Sequence, residues 1–166
     1  MPYDKWAEQG FLEAVPGASI QYEYVAAYLR KVFDTCTVRA LAFDRYNMRF
    51  LKPWLIKEGF TEDELALFVE FGQGFVSMSP ALRETEGLLL DGKLEHGAHP
   101  VLTMCAMNAV VVKDPAENRK FTKAKATGRI DGMVSLVMAV AVASQGLEEL
   151  EDFDQFIRNP VAIRQK

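Results

Sequence analysis

The segment MVSLVMAVAVA, Met133 to Ala143, limits the fold more than any other part of the chain. It is apolar throughout except for Ser135, and it is shorter than the roughly 20 apolar residues that a bilayer span requires. It therefore reads as a helix buried in a protein core. The run is entered through Gly128-Arg129-Ile130-Asp131-Gly132, which places a carboxylate at the mouth of the helix, just behind an arginine. A charge beside that much apolar surface needs a partner, a cap or a function.

A core able to enclose such a helix suits a chain of 166 residues folded as one domain. Hydrophobic residues make up 49% and charged residues 25%, a folded rather than a disordered composition. The net charge of −4 argues against a generally basic nucleic-acid binder, while leaving room for a local basic strip. Cys36 and Cys105 lie far apart and in no metal-ligand spacing, so both are expected as reduced core thiols in a cytoplasmic protein. The start MPYDKWAEQG has no signal-peptide character, and no membrane segment is expected.

Strand-like and helical runs alternate, which favours an α/β fold. A helical turn over YDKWAEQG precedes a strand-like FLEAV that stops at Pro16-Gly17. Tyr24, Val25, Tyr28, Leu29 and Val32 fall on one helix face. Val38 to Asp44 reads as a buried strand ending in an acid. NMRFLKPWLIKEG reads as a helix with a Pro53 kink and an exit at Gly59, and LALFVEFGQG as a second strand. Ser79 and Pro80 suit the cap and first position of a helix that leaves at Gly92. HPVLTMCAMNA is helical, and VVV pairs with KFTK in a hairpin across DPAEN. The apolar helix begins at Asp131. No linker divides residues 1–146, and residues 147–166 form an acidic helix and tail.

Two acids stand out. Asp44 follows an apolar strand, where α/β sheets gather ligands, but an aspartate there also begins turns and caps helices. Asp131 sits where a helix dipole favours a carboxylate. Gly132, costly inside a helix, implies a close approach to the backbone at that point. Carboxylates converging from strand ends and helix starts hold Mg2+ or Mn2+, and a pair of such ions about 4 Å apart activates water and stabilises a leaving oxygen in phosphodiester cleavage. Arg119, Lys120, Lys123, Lys125 and Arg129, just ahead of Asp131, read either as a solvated hairpin or as a strip that contacts DNA phosphates. His96 and His99 read as loop residues. Tyr46, Phe50 and Trp54 read as core or helix-face packing, and Asp152 and Asp154 as part of a solvated tail.

Taken in order, LAFDRYN (41–47), GQGFVSMSPALRETEGLLLDGKLEHG (72–97), HPVLTMCAMNAVVVKD (99–114) and GRIDGMVSLVMA (128–139) resemble the nuclease domain of the large subunit of tailed-phage terminases. PYDKWAEQGFLEAVPG (2–17) resembles the segment before those motifs. The resemblance implies an RNase H-like mixed sheet flanked by helices, with two Mg2+ or Mn2+ ions on clustered acids. It implies cleavage of concatemeric double-stranded phage DNA in the host cytoplasm, alongside an ATPase domain of the same subunit, the small terminase subunit and the portal. Asp44 matches the acid of the YDPWN-like motif and Asp131 that of the IDG motif, both as metal ligands. Gln73, Gly74, Ser79, His96 and Asn108 fall on recurring positions without an assigned catalytic role.

The chain departs from the family pattern in three respects. The leading catalytic Asp belongs to a strand upstream of PYDKWAEQG, no P-loop is present, and Ala98-His99 and Met104 replace a usual Gly-Asn and Trp. These departures make a fragment lacking its first strand the expectation, with a degenerate prophage remnant that only binds DNA or portal as the alternative. A resolvase or transposase of the same fold class is a third reading, disfavoured by the intact GQGF, LEHG and IDG series.

Overall fold

A computed structural model describes residues 1–147, and the acidic tail expected over 147–166 lies outside them save for Leu147. The chain runs through helices α1 (Tyr3–Glu8) and α2 (Tyr22–Thr35), strand β1 (Leu41–Phe43), helices α3 (Met48–Lys57) and α4 (Glu62–Ala66), and strand β2 (Phe68–Glu70). It continues through α5 (Phe75–Leu90), α6 (Pro100–Asn108), the strands β3 (Val111–Lys113) and β4 (Arg119–Phe121), and α7 (Asp131–Leu147). The mixed α/β architecture is the one the sequence predicts.

Helix α7 presents Val134, Val137, Met138 and Ala141 at helical spacing, all at most 7% exposed, and Ile130 anchors its entrance at 2%. Phe71, Met78 and Ala81 complete this main core, with Ala42, Val69 and Phe121 packed on it from the strands. A second cluster of Ala26, Leu55 and Phe60 joins α2 to α3. Strands β1 and β2 pair in parallel, Phe43 opposite Glu70, so their carboxyl ends share one edge. The crossover between them is α3 and α4. Strands β3 and β4 form the expected hairpin, Val112 opposite Lys120. Its turn is tied by Asp114, whose Oδ1 accepts from the amides of Ala116 and Asn118, both at 2.9 Å.

Four sequence expectations change. FLEAV forms no strand: the amides of Phe11 and Leu12 donate back to the Trp6 carbonyl at 2.8 and 3.2 Å and close α1 instead. The strand expected over 38–44 shrinks to the half-buried Leu41–Phe43. Helix α5 is capped by Gly74, not Ser79, and Met78 and Ser79 lie inside it, buried at 1% and 4%. Burial of that extra turn outweighs the local start signal. Pro80 removes the bond to the Val76 carbonyl, and Val76 is itself exposed. Finally, the strand expected over LALFVEFGQG shrinks to Phe68–Glu70, because Leu65 and Ala66 close α4, a helix started by a capping box in which Thr61 Oγ1 accepts from the Glu64 amide and Glu64 accepts from the Thr61 amide.

Candidate functional site

Asp131 opens α7 at the rim of an open cleft of about 500 Å³ lined by Tyr3, Asn108, Lys123 and the segment Thr127–Asp131. Its carboxylate is 63% exposed, and Lys123 Nζ donates to Oδ1 at 3.1 Å. The charge noted in the sequence thus has a partner eight positions earlier in the chain.

That loop is held from below by α6. Asn108, 8% exposed, is the last residue of α6. Thr127 Oγ1 donates to Asn108 Oδ1 at 3.0 Å, and Asn108 Nδ2 donates to the Arg129 carbonyl at 3.3 Å. Gly128 lies between these two bonds, where a Cβ would come within 2.6 Å of Nδ2. One turn back on α6, Cys105 explains Gly132: a Cβ there would stand 3.2 Å from the thiol sulfur. The close approach expected at Gly132 is therefore the packing of α6 on α7. Sequence reading assigned Asn108 no role. Its visible signal was a carboxamide ending an otherwise apolar helix, with a glycine just ahead of the IDG motif.

Asp44 follows β1, and its Oδ1 accepts from the Tyr46 amide at 3.1 Å, the turn-forming role weighed for it. It does not line the cleft at Asp131. Both acids nonetheless leave the same core, since Ala42 of β1 and Ile130 belong to one cluster and α7 packs on β1. Glu70 sits at the same strand edge, 3.9 Å from Arg45. Among the described residues no group of three His, Cys, Asp or Glu side chains is placed to hold a metal.

The basic strip is divided. Arg119 pairs with Glu86 at 2.9 Å, Lys120 lies 4.6 Å from the Phe75 ring centre, and Lys123 holds Asp131. Lys125 and Arg129 have no ion-pair partner among the described residues, and Arg129 lines the cleft. His99 stands edge-on to Phe11 at 5.0 Å, a packing contact. Tyr46 is not core: it is 80% exposed beside Asp44. Phe50 stacks on Tyr22 at 6.1 Å, as helix-face packing, and Trp54 packs on the second cluster. Cys105 is buried as expected, whereas Cys36 is only half-buried.

Over residues 1–147 the chain matches the family described as the terminase large subunit, endonuclease domain, and it belongs to that family. It is 46% identical to the large terminase subunit of Enterobacteria phage HK97 over 168 residues, covering 98% of this chain and 32% of that protein. It is 29% identical to protein YmfN of Escherichia coli K12 over 152 residues, covering 90% of this chain and 32% of that protein. The crystal structure of the HK97 bacteriophage large terminase superposes with a TM-score of 0.78 at 47% identity, over 85% of this chain and 29% of that one. The chain spans about a third of the length of the curated relatives it matches.

Proposed function

We propose that the chain is the DNA-cutting part of a terminase large subunit, a divalent-metal-dependent endonuclease that hydrolyses phosphodiester bonds of concatemeric double-stranded phage DNA. The observation that carries this reading is Asp131 of the matched domain, exposed at an open cleft with Lys123 and Arg129 beside it. Asp44 and Asp131 supply hard carboxylate oxygens, the donor type that Mg2+ and Mn2+ take, and Mg2+ is commonly held by one or two carboxylates with water and substrate phosphate completing its shell. When bound, such a cation neutralises charge at the scissile phosphate and makes water a stronger nucleophile.

The chain's own residues then divide the remaining work. Arg129 and Lys125 contact backbone phosphates, and Lys123 has a choice between Asp131 and a phosphate. Arg119 and Lys120, engaged with Glu86 and Phe75, contribute to the field around the hairpin rather than a first contact. Within a whole large subunit the partners are an ATPase domain, the small subunit and the portal, in the host cytoplasm.

The second reading, a remnant that binds DNA without cutting it, draws support from the absence, among the described residues, of any group of three His, Cys, Asp or Glu side chains placed to hold a metal. Plasmid nicking in Mg2+ or Mn2+ separates the two. The nuclease reading expects nicking that Asp44→Ala and Asp131→Ala each abolish while the fold is retained. Wild-type-rate cutting by either variant overturns the two-acid assignment. Salt-sensitive duplex binding without any nicking selects the remnant.

A further inference from the structure

Asp131 is bracketed on both sides by one helix. On its N-terminal side, Asn108 of α6 is bonded to Thr127 at 3.0 Å and to Arg129 at 3.3 Å. On its C-terminal side, Cys105 of the same helix packs against Gly132. Asp131 itself has no bond to α6. Its side chain is 63% exposed, and among the described residues its carboxylate pairs with Lys123 alone.

We propose that Asn108 is a positioning residue for Asp131: its carboxamide fixes the backbone of the loop that delivers the carboxylate to the cleft. This inference rests on the metal-dependent reading above. The chemistry selects asparagine. One carboxamide both accepts from the Thr127 hydroxyl and donates to the Arg129 carbonyl. The isosteric aspartate keeps the first bond but sets a charge against the Arg129 carbonyl oxygen at a position that is 8% exposed. Alanine leaves two loop groups without their partner. Gly128 is required because the amide nitrogen occupies the space a side chain would fill. A buried carboxamide at the end of an apolar helix, with one partner on its nitrogen and one on its oxygen, is costly to place, and ordering a nine-residue path from hairpin to helix gives it a purpose. Groups that orient a metal-binding carboxylate typically change metal affinity by about 10–100-fold when removed.

The test uses the whole chain and two readouts. Hydrogen exchange without metal follows wild type, Asn108→Ala, Asn108→Asp, Thr127→Val and Thr127→Ser. Calorimetry then follows Mn2+ binding to each, with Asp131→Ala as control, well below the melting temperature. Asn108→Ala and Asn108→Asp are expected to speed exchange over residues 127–133, to leave Val134–Val142 unchanged, and to weaken Mn2+ binding by roughly tenfold or more. Thr127→Val keeps the Asn108 side chain and gives a smaller effect, and Thr127→Ser restores wild-type behaviour. Unchanged exchange over 127–133 overturns the inference whatever the metal does. So does loosening of all of α7, which marks Asn108 as merely structural. Mn2+ binding lost in Asp131→Ala but unaltered in Asn108→Ala overturns the positioning role alone. A wild-type chain that takes up no Mn2+ overturns the metal reading and this inference with it.

Discussion

Lys123 Nζ lies 3.1 Å from Asp131 Oδ1, and both side chains are more than half exposed. An exposed pair of this kind contributes at most about 1 kcal/mol to stability. The lysine is therefore cheap to redirect, and a DNA phosphate competes for it on nearly equal terms. Lys123→Ala is expected to leave the melting temperature almost unchanged. It should weaken duplex binding and lower the slope of log K against log salt by about one. Fluorescence anisotropy over a salt series measures this, and a slope equal to wild type removes Lys123 from the DNA interface.

Gly128 allows no side chain. Its Cβ would meet Asn108 Nδ2 at 2.6 Å, so Gly128→Ala forces the loop or the carboxamide to move. A cost of about 1–3 kcal/mol is expected in denaturant unfolding. A neutral Gly128→Ala contradicts the packing described for the loop.

Gly132 and Cys105 are coupled by contact. Gly132→Ala gains helix propensity but crowds the Cys105 sulfur, 3.2 Å from the new methyl carbon. In a Cys105→Ala background the crowding is relieved, so the same substitution should be more favourable there. A double-mutant cycle reads the coupling directly, and additive effects mean that the helices do not meet at these two residues.

Glu64 contributes to acid stability. Two bonds from Arg30, at 2.8 and 3.0 Å, and the Thr61 amide hold its carboxyl down to about 2 from an ordinary 4.5. Above pH 4.5 the group is ionised in both folded and unfolded chains, and its contribution is fully present. Between 4.5 and 2 the unfolded chain takes up the proton first, so stability falls as the pH falls. Glu64→Gln is expected to flatten this part of the melting-temperature profile. Asp114, lowered chiefly by the Asn118 side chain, adds acid sensitivity of the same sign.

The second core cluster is small and closely filled. Leu55 is fully buried between Ala26 and Phe60. Leu55→Ala should cost about 2–5 kcal/mol, measured by denaturant unfolding, because its neighbours can collapse only partly into the space. A loss below 1 kcal/mol, roughly that of a surface change, means that α2 and α3 are not joined as described.

What could be read in advance was local. The periodicity of α2, the Pro100 start of α6, the hairpin across DPAEN and the positive-φ exit at Gly92 each depend on residues close in sequence. The start of α5 departs from the sequence expectation because Ser79-Pro80 is a strong local signal, whereas the observed start depends on burying Met78 in a core formed largely by α7. Strands β1 and β2 are short enough that pairing, not pattern, defines them. Thr61-x-x-Glu64 was present as a capping signal, and the flanking strand pattern masked it. Asp131 was legible as a charge out of place. Asn108 was not, since its role exists only where the end of one helix meets the approach to another.

The burial of Cys105 turns this seam into a clock. Cys105 is 3% exposed and its thiol lies against Gly132, whereas Cys36 is only partly buried. A thiol reagent reaches Cys36 at once and Cys105 only when α6 lifts from α7. Labelling the untouched chain in two phases would therefore time, in its slow phase, how often the floor beneath Asp131 comes apart.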